Sequence, residues 1–479
     1  MILGHEQQRT KPKKPKREID NIEEIKAESL ADLEEKLKTM KISKKLKKKL
    51  LKDEAEREKL RNFDEKIHCY KCKEAKAQVI IRGDRICEAC LKEAIIHKFK
   101  SNLRTSGSNS KIWKDDSNLI CVSGGSNSMA LLHLIYDALF GVSQRKMFFN
   151  VHVLYIDETA VYGWDKETSE KNIKIITDSC QNYGFNYTII PIECVFEIKQ
   201  LDPNTKEYES RFNDLEFENK HYQAIDGSKD KFTEIMKYPS ELCSSREDMI
   251  FYFKKWLMLD FALTFGFKKL LLGCSALSVT TKVLSEIGKG RGLSLPNDVC
   301  YQDDRYLNDI NILNPMRDFL QKEVAVYNKM CGVQQIMQLN LCITSSKKGK
   351  NLPGFGNMNL LCEQFMELQT SANAQSMHTV LRTSNKLKVS SIVEQDSRYC
   401  PLCYGIVDHA TNILEVGSNV KAVTLDGVMD LITSENDTWN TEFEQQLCYG
   451  CKRLMENSIE KLNFIEAMPE FIRTSAGLA

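Results

Sequence analysis

Apolar positions along this chain fall into two rhythms. Short runs that are apolar at nearly every position occur at 119–122, 151–157, 187–192 and 269–273. Strands buried on both faces read this way, because neither face meets water. Between and after these runs, apolar residues recur at helical spacing. Met129, Leu131, Leu132, Leu134, Ile135 and Leu139 form one such set, and the pattern returns over 165–183, 246–265 and 320–330. Strands that alternate with helices predict an α/β fold, with a central parallel sheet covered by helices on both faces. Ligands in such sheets sit at the carboxyl ends of the strands. The stretch 123–128, Asp157 and Gly273-Cys274 all fall at such ends, so they are expected to share one crevice.

Outside this centre the rhythm changes. Residues 1–66 are rich in Lys and Glu, with Ile22, Ile25, Leu30, Leu33 and Leu37 at roughly helical spacing. They read as a charged arm, either solvated or touching RNA phosphates or a partner. Residues 67–110 read as a small Cys-rich module: a hairpin over 78–86 with a Gly83-Asp84 turn, then a basic helix over 91–103. The α/β domain spans 111–340, and its polar stretch 200–239 reads as an insertion or long loop. A linker follows over 341–395, with some helix at 360–368, and a second Cys-rich module over 396–479.

Lys and Arg number 67 against 66 Asp and Glu, so net charge carries no argument about nucleic acid. Two runs, 11–17 and 41–52, are strongly basic, but acids lie between and after them. No apolar run is long enough for a membrane span, and the first residues lack the apolar core of a signal peptide. The 17 cysteines are therefore expected to be reduced thiols and metal ligands in the cytoplasm.

Eight of them form C-x2-C pairs. Cys69 and Cys72 with Cys87 and Cys90, across a short spacer, are a strong zinc signal. Cys400 and Cys403 with Cys448 and Cys451 have a longer spacer, and read either as a second zinc set or as two local thiol pairs. Four thiolates around one ion leave no open position, so both sets read as structural. Zinc is the expected metal, with an iron–sulfur cluster as the alternative.

The remaining chemistry lies in the glycine loop, Ser123-Gly124-Gly125-Ser126-Asn127-Ser128. A strand that turns through paired glycines into a helix presents free N–H groups at a positive dipole end, a ready phosphate site. No Lys-Ser or Lys-Thr follows the glycines, so this is not the common P-loop. The spelling resembles the pyrophosphate loop of the ATP-pyrophosphatase (adenine nucleotide alpha hydrolase-like) superfamily, which has Asp where this chain has Asn127. Further motifs follow in order: Cys243-Ser244-Ser245-Arg246, Gly290-Arg291-Gly292 and Pro315-Met316-Arg317-Asp318. Their order resembles the cytoplasmic tRNA 2-thiolation family, subunit 2 type, over residues 69–451.

That resemblance implies a role beside a catalytic tRNA thiolase subunit. The pair would place sulfur on carbon 2 of the wobble uridine, position 34, of cytosolic tRNAs. ATP adenylates the uridine carbonyl and releases pyrophosphate, and sulfur from a ubiquitin-like carrier then attacks. Adenylation needs magnesium, and magnesium needs carboxylates. Here Asn127 stands in the acid's place and 273–278 holds no carboxylate. Cys243 matches the first catalytic cysteine, but Arg246 stands where the second would be. It reads either as an activated thiol or as a plain buried one. The loop therefore reads as retained scaffold, with ATP bound by the partner. Candidate RNA contacts are Lys98, Arg104, Lys289, Arg291 and Arg317. Two other readings stay in view: an active ATP-dependent tRNA 2-thiouridine synthase, and a zinc-containing interaction scaffold.

Overall fold

The computed structural model describes residues 48, 51, 67–105, 112, 116–141, 146–210, 212, 218–239, 244–307, 310–337, 357–372, 375–387, 398–407, 441–456 and 461–477. Cys243, both basic runs apart from residues 48 and 51, and residues 341–356, 373–374 and 388–395 of the expected linker lie outside these residues. The chain divides into two compact units, 1–93 and 94–479.

The first unit holds the hairpin β1 (Val79–Ile81) and β2 (Asp84–Ile86), paired antiparallel with Val79 opposite Ile86. Its turn needs Gly83, at φ +92°. Ile81 and Ile86 are buried while Asp84 and Arg85 face water, as a half-buried two-stranded ribbon requires. Helix α1 (Glu88–Thr105) follows.

The second unit is built on a seven-stranded sheet. In chain order its members are β3 (Ser117–Val122), α2 (Ser126–Phe140), β4 (Asn150–Asp157), α3 (Lys166–Tyr183) and β5 (Asn186–Pro191). Then come β6 (Lys220–His221), α4 (Ser245–Thr264), β7 (Lys269–Leu272), α5 (Ala276–Gly288), β8 (Gln302–Asp303), β9 (Asn311–Leu313) and α6 (Gln321–Cys331). The spatial order is β8-β9-β7-β3-β4-β5-β6, parallel throughout except for β8 against β9. The α/β fold expected from the sequence is the fold observed.

The order reverses at β3. The chain runs outward through β4 and β5, then returns through β7 to the other side of β3. Such a switch point opens a crevice at the carboxyl ends of the two strands that diverge. The stretch 200–239 is not a bare loop. It holds the antiparallel pair Gln200–Leu201 and Tyr208–Glu209, the edge strand β6 and a helix at Ser228–Ile235. Two-residue strands of polar sequence leave no hydrophobic rhythm to read.

Helices α7 (Met358–Ala372), α8 (Ser376–Ser384) and α9 (Tyr449–Glu456) complete the larger elements. One apolar core joins Leu119, Leu154 and Trp256 to Leu402, Phe443 and Phe471. The C-terminal Cys-rich segment thus shares the core of the sheet. Among the described residues, no helix is long and apolar enough to cross a membrane.

Candidate functional site

The glycine loop leaves β3 at the switch point. Gly124 turns at φ +80°, where a side chain would be strained. The two motif serines then close the loop on itself. Ser128 Oγ accepts from the Ser123 amide at 3.2 Å and donates to the Gly125 carbonyl at 3.0 Å. Helix α2 starts after Gly125 with no side-chain cap, so its first amides keep the character of an anion site. Gly273, just past β7, packs on this turn. A Cβ there would stand 2.7 Å from Ser128 Cα, so the crevice wall tolerates only glycine. Later chain covers the loop from outside. Ile336 donates its amide to the Gly124 carbonyl at 2.8 Å, and its buried side chain lies where a Cβ of Gly124 would be.

The side chains bonded around Asn127 are neutral. Asn127 Nδ2 donates to Ser275 Oγ at 3.2 Å, and Ser275 caps α5 by accepting from the Ser278 amide. Ser275 Oγ donates to Gln321 Oε1 at 3.3 Å, and Gln321 Nε2 donates to Ser126 Oγ at 3.3 Å. Asn328 Nδ2 donates to the Ser126 carbonyl at 2.8 Å. This ring of amides and hydroxyls closes around Asn127. Asp157 stands at the end of β4, as expected, but accepts locally from the amide and hydroxyl of Thr159 at 3.1 and 2.7 Å. Sequence reading singled out Asn127 and the stretch 273–278. It missed Gln321 and Asn328, whose partners lie far away in the chain.

The eight paired cysteines assemble as two sets of four. In each set the sulfurs lie within 4.8 Å of one another. A tetrahedral ion with ~2.3 Å Zn–S bonds needs S···S of roughly 3.8 Å, and the distances of 3.9 Å for Cys72–Cys87 and 3.5 Å for Cys403–Cys448 accord with that. Both sets are built alike. The first pair sits on a turn whose next residue is left-handed, Lys73 at φ 61° and Tyr404 at φ 59°. That turn closes with a hydrogen bond from the left-handed residue's amide to the first cysteine carbonyl, at 2.8 Å in both. The second pair flanks a helix start, α1 or α9, where the dipole favours thiolate. In the first set burial raises the Cys69 thiol, but amides of Cys72, Cys87 and Lys71 outweigh it and bring it down to about 6. Cys72 and Cys90 are half-buried, whereas all four C-terminal sulfurs belong to buried residues. Both sets can hold a metal ion.

Gly290 and Arg291 of the Gly290-Arg291-Gly292 motif pack against the C-terminal set. A Cβ on Gly290 would stand 2.5 Å from the Tyr449 ring, and one on Gly450 would collide with the Arg291 side chain. These glycines let the loop and the second cysteine pair approach. The first pair is pinned to α4: Trp256 Nε1 donates to the Leu402 carbonyl and Lys255 Nζ to the Cys403 carbonyl, each at 2.9 Å.

Most of the candidate RNA contacts are engaged internally. Lys98 pairs with Glu323 at 3.2 Å and lies over the Phe319 ring. Lys289 pairs with Asp248 and Glu286 at 2.9 and 2.7 Å, and Arg291 pairs with the same two carboxylates at 3.4 and 3.1 Å. Arg317 is buried, with Nε and Nη2 lacking partners, and burial holds its guanidinium below the ordinary value. Arg104, in the last turn of α1, is exposed. Lysine and arginine spellings give no sign of burial; the matching acids are brought in by tertiary packing.

No protein-family profile matches the chain. Curated proteins do. It is 25% identical to cytoplasmic tRNA 2-thiolation protein 2 of Xenopus tropicalis, over 84% of this chain and 90% of that one. It is 27% identical to the protein of that name in Danio rerio, over 85% and 90%. The chain is a relative of cytoplasmic tRNA 2-thiolation protein 2. A third such relative, from Dictyostelium discoideum, is 28% identical over 67% of this chain and 55% of its own. Among solved structures, the U34-tRNA thiolase NcsA from Methanococcus maripaludis with its 4Fe-4S cluster aligns at a TM-score of 0.45. Its identity is 12%, over 71% of this chain and 91% of that one.

Proposed function

We propose that this chain is the non-catalytic subunit of a cytoplasmic complex that thiolates carbon 2 of the wobble uridine in tRNA. Kinship with the cytoplasmic tRNA 2-thiolation proteins supports the pathway. The observation that carries the role is the neutral network around Asn127. Adenylation of a uridine carbonyl needs a divalent cation on the departing pyrophosphate. Amides and hydroxyls bonded to one another offer such an ion little. A catalytic thiolase subunit then binds ATP and carries out the chemistry, and the sulfur-carrying ubiquitin-like protein meets the complex rather than this chain alone. Both four-cysteine sets hold zinc as structural ties. The chain helps hold the anticodon arm, with Arg104 the candidate contact most open to solvent.

The test is thiolation of a wobble-uridine anticodon stem by this chain, by its co-purified partner, and by both, with ATP and a sulfur donor throughout. Activity only with both chains is expected. Activity of this chain alone would refute the accessory role, and Asp157 and Cys243 would become the first residues to mutate.

A further inference from the structure

We propose that the cavity between α4 and α5 is a binding site for the phosphate group of a small phosphate monoester, separate from the glycine loop. The cavity measures 280 Å³, near the lower end of the range for small-ligand sites, about 300 Å³. One wall is a face of α4 with Asp248, Tyr252 and Lys255. The other is a face of α5 with Ser278, Thr281, Lys282 and Ser285. Cys403 and Gly405 of the C-terminal cysteine turn also line it.

The chemistry of the lining is lopsided. Its carboxylates already have donors. Asp248 and Glu286 take Lys289 and Arg291, Asp298 takes Arg305, and Glu247 accepts from Asn359 Nδ2. Several donors have no such partner. Lys282 makes no ion pair among the described residues, and its ammonium stands 4.8 Å over the Phe251 ring. Lys255 is buried, gives a hydrogen bond to the Cys403 carbonyl and lies 5.1 Å over the Tyr306 ring, with no carboxylate in ion-pair range among the described residues. Thr281 Oγ1 and Arg291 Nε are buried with no acceptor among the described residues. Buried donors without acceptors are costly, and charged ones more so. An acceptor-only anion with several oxygens suits such donors, and charge-assisted bonds from Lys and Arg are the strong kind. Phosphate has that oxygen count and charge.

The test is residue-resolved acetylation of Lys282 in the full chain, read by mass spectrometry. Inorganic phosphate, adenosine monophosphate and an anticodon stem-loop RNA without a terminal phosphate are compared with chloride at matched ionic strength. Several-fold protection of Lys282 by phosphate and by the nucleotide, but not by chloride, supports the site. Equal labelling under all conditions overturns it. Protection by RNA alone also overturns it, because the cavity would then read backbone phosphate. A Lys282→Met variant adds a second readout: the phosphate-dependent rise in melting temperature is lost while bound metal is unchanged. A rise of wild-type size in that variant would again refute the proposal.

Discussion

Restoring the missing acid tests the neutral crevice directly. In Asn127→Asp the amide donor to Ser275 Oγ disappears, and with it one hydrogen bond, worth about 1 kcal/mol for a neutral pair. The new carboxylate enters a half-buried ring with no cation of its own. Asn127 Oδ1 already lacks a partner there. The α2 dipole returns about 0.3–1 kcal/mol to a negative group in the first turn. Poor solvation of the charge opposes this by about 1–3 kcal/mol. The balance is a loss of about 1–4 kcal/mol. Thermal melts with and without magnesium–ATP measure it, and ATP–pyrophosphate exchange measures chemistry. The variant should melt lower than wild type, gain little from magnesium–ATP, and exchange no faster than the parent. One carboxylate does not complete a magnesium shell while Ser275 and Gln321 remain neutral. Exchange clearly above the parent would show that Asn127 alone silences the loop.

Further tests follow from packing, metal and pH. Gly273→Ala should lower stability by about 1–3 kcal/mol, because its Cβ would press on the backbone of Ser128; an unchanged denaturation midpoint would contradict the close packing of β7 on the loop. Native mass spectrometry during chelation should show two classes of metal, with the half-exposed N-terminal set emptied before the buried C-terminal one. Cys69→Ser and Cys451→Ser should each lose one ion, and loss of both ions together in either variant would argue against independent sets. Burial holds the Asp260 carboxyl up at about 7, with Ser210 donating to it at 3.0 Å. The unfolded chain ionises this group near 4, so its contribution to stability is greatest below about pH 4 and falls as pH rises toward 7. At about 1.4 kcal/mol for each factor of ten in proton affinity, the loss reaches roughly 4 kcal/mol. Asp260→Asn should flatten that slope and stabilise the protein at about pH 8; parallel slopes for both proteins would refute the buried-acid account.

Much of this was legible because it is local. Strand-to-helix transitions announce themselves by rhythm, so β3, β4, β5 and β7 and their helices stood out. Each C-x2-C pair spells half a metal site, and two pairs make the whole. What escaped has long-range causes. Strands β6, β8 and β9 are two or three residues long and take their identity from neighbours in the sheet. Lys289 and Arg291 look like a basic surface loop until Asp248 and Glu286 are brought beside them. The partner of Asn127 lies 148 residues on, so only the absence of an acid could be read beforehand.

The same long-range ties impose an order of assembly during synthesis. The glycine loop leaves the ribosome early, yet the Ile336 segment that covers it comes much later. Trp256 must wait for a carbonyl 146 residues further along, and Cys403 for a thiol partner 45 residues beyond itself. Until the last helices emerge, a nascent chain exposes half a metal site and an uncovered apolar face of α4. A ribosome that stalls between the two C-terminal cysteine pairs would therefore leave a product that chaperones or proteases can recognise, so completion of translation itself becomes a checkpoint on the amount of folded protein.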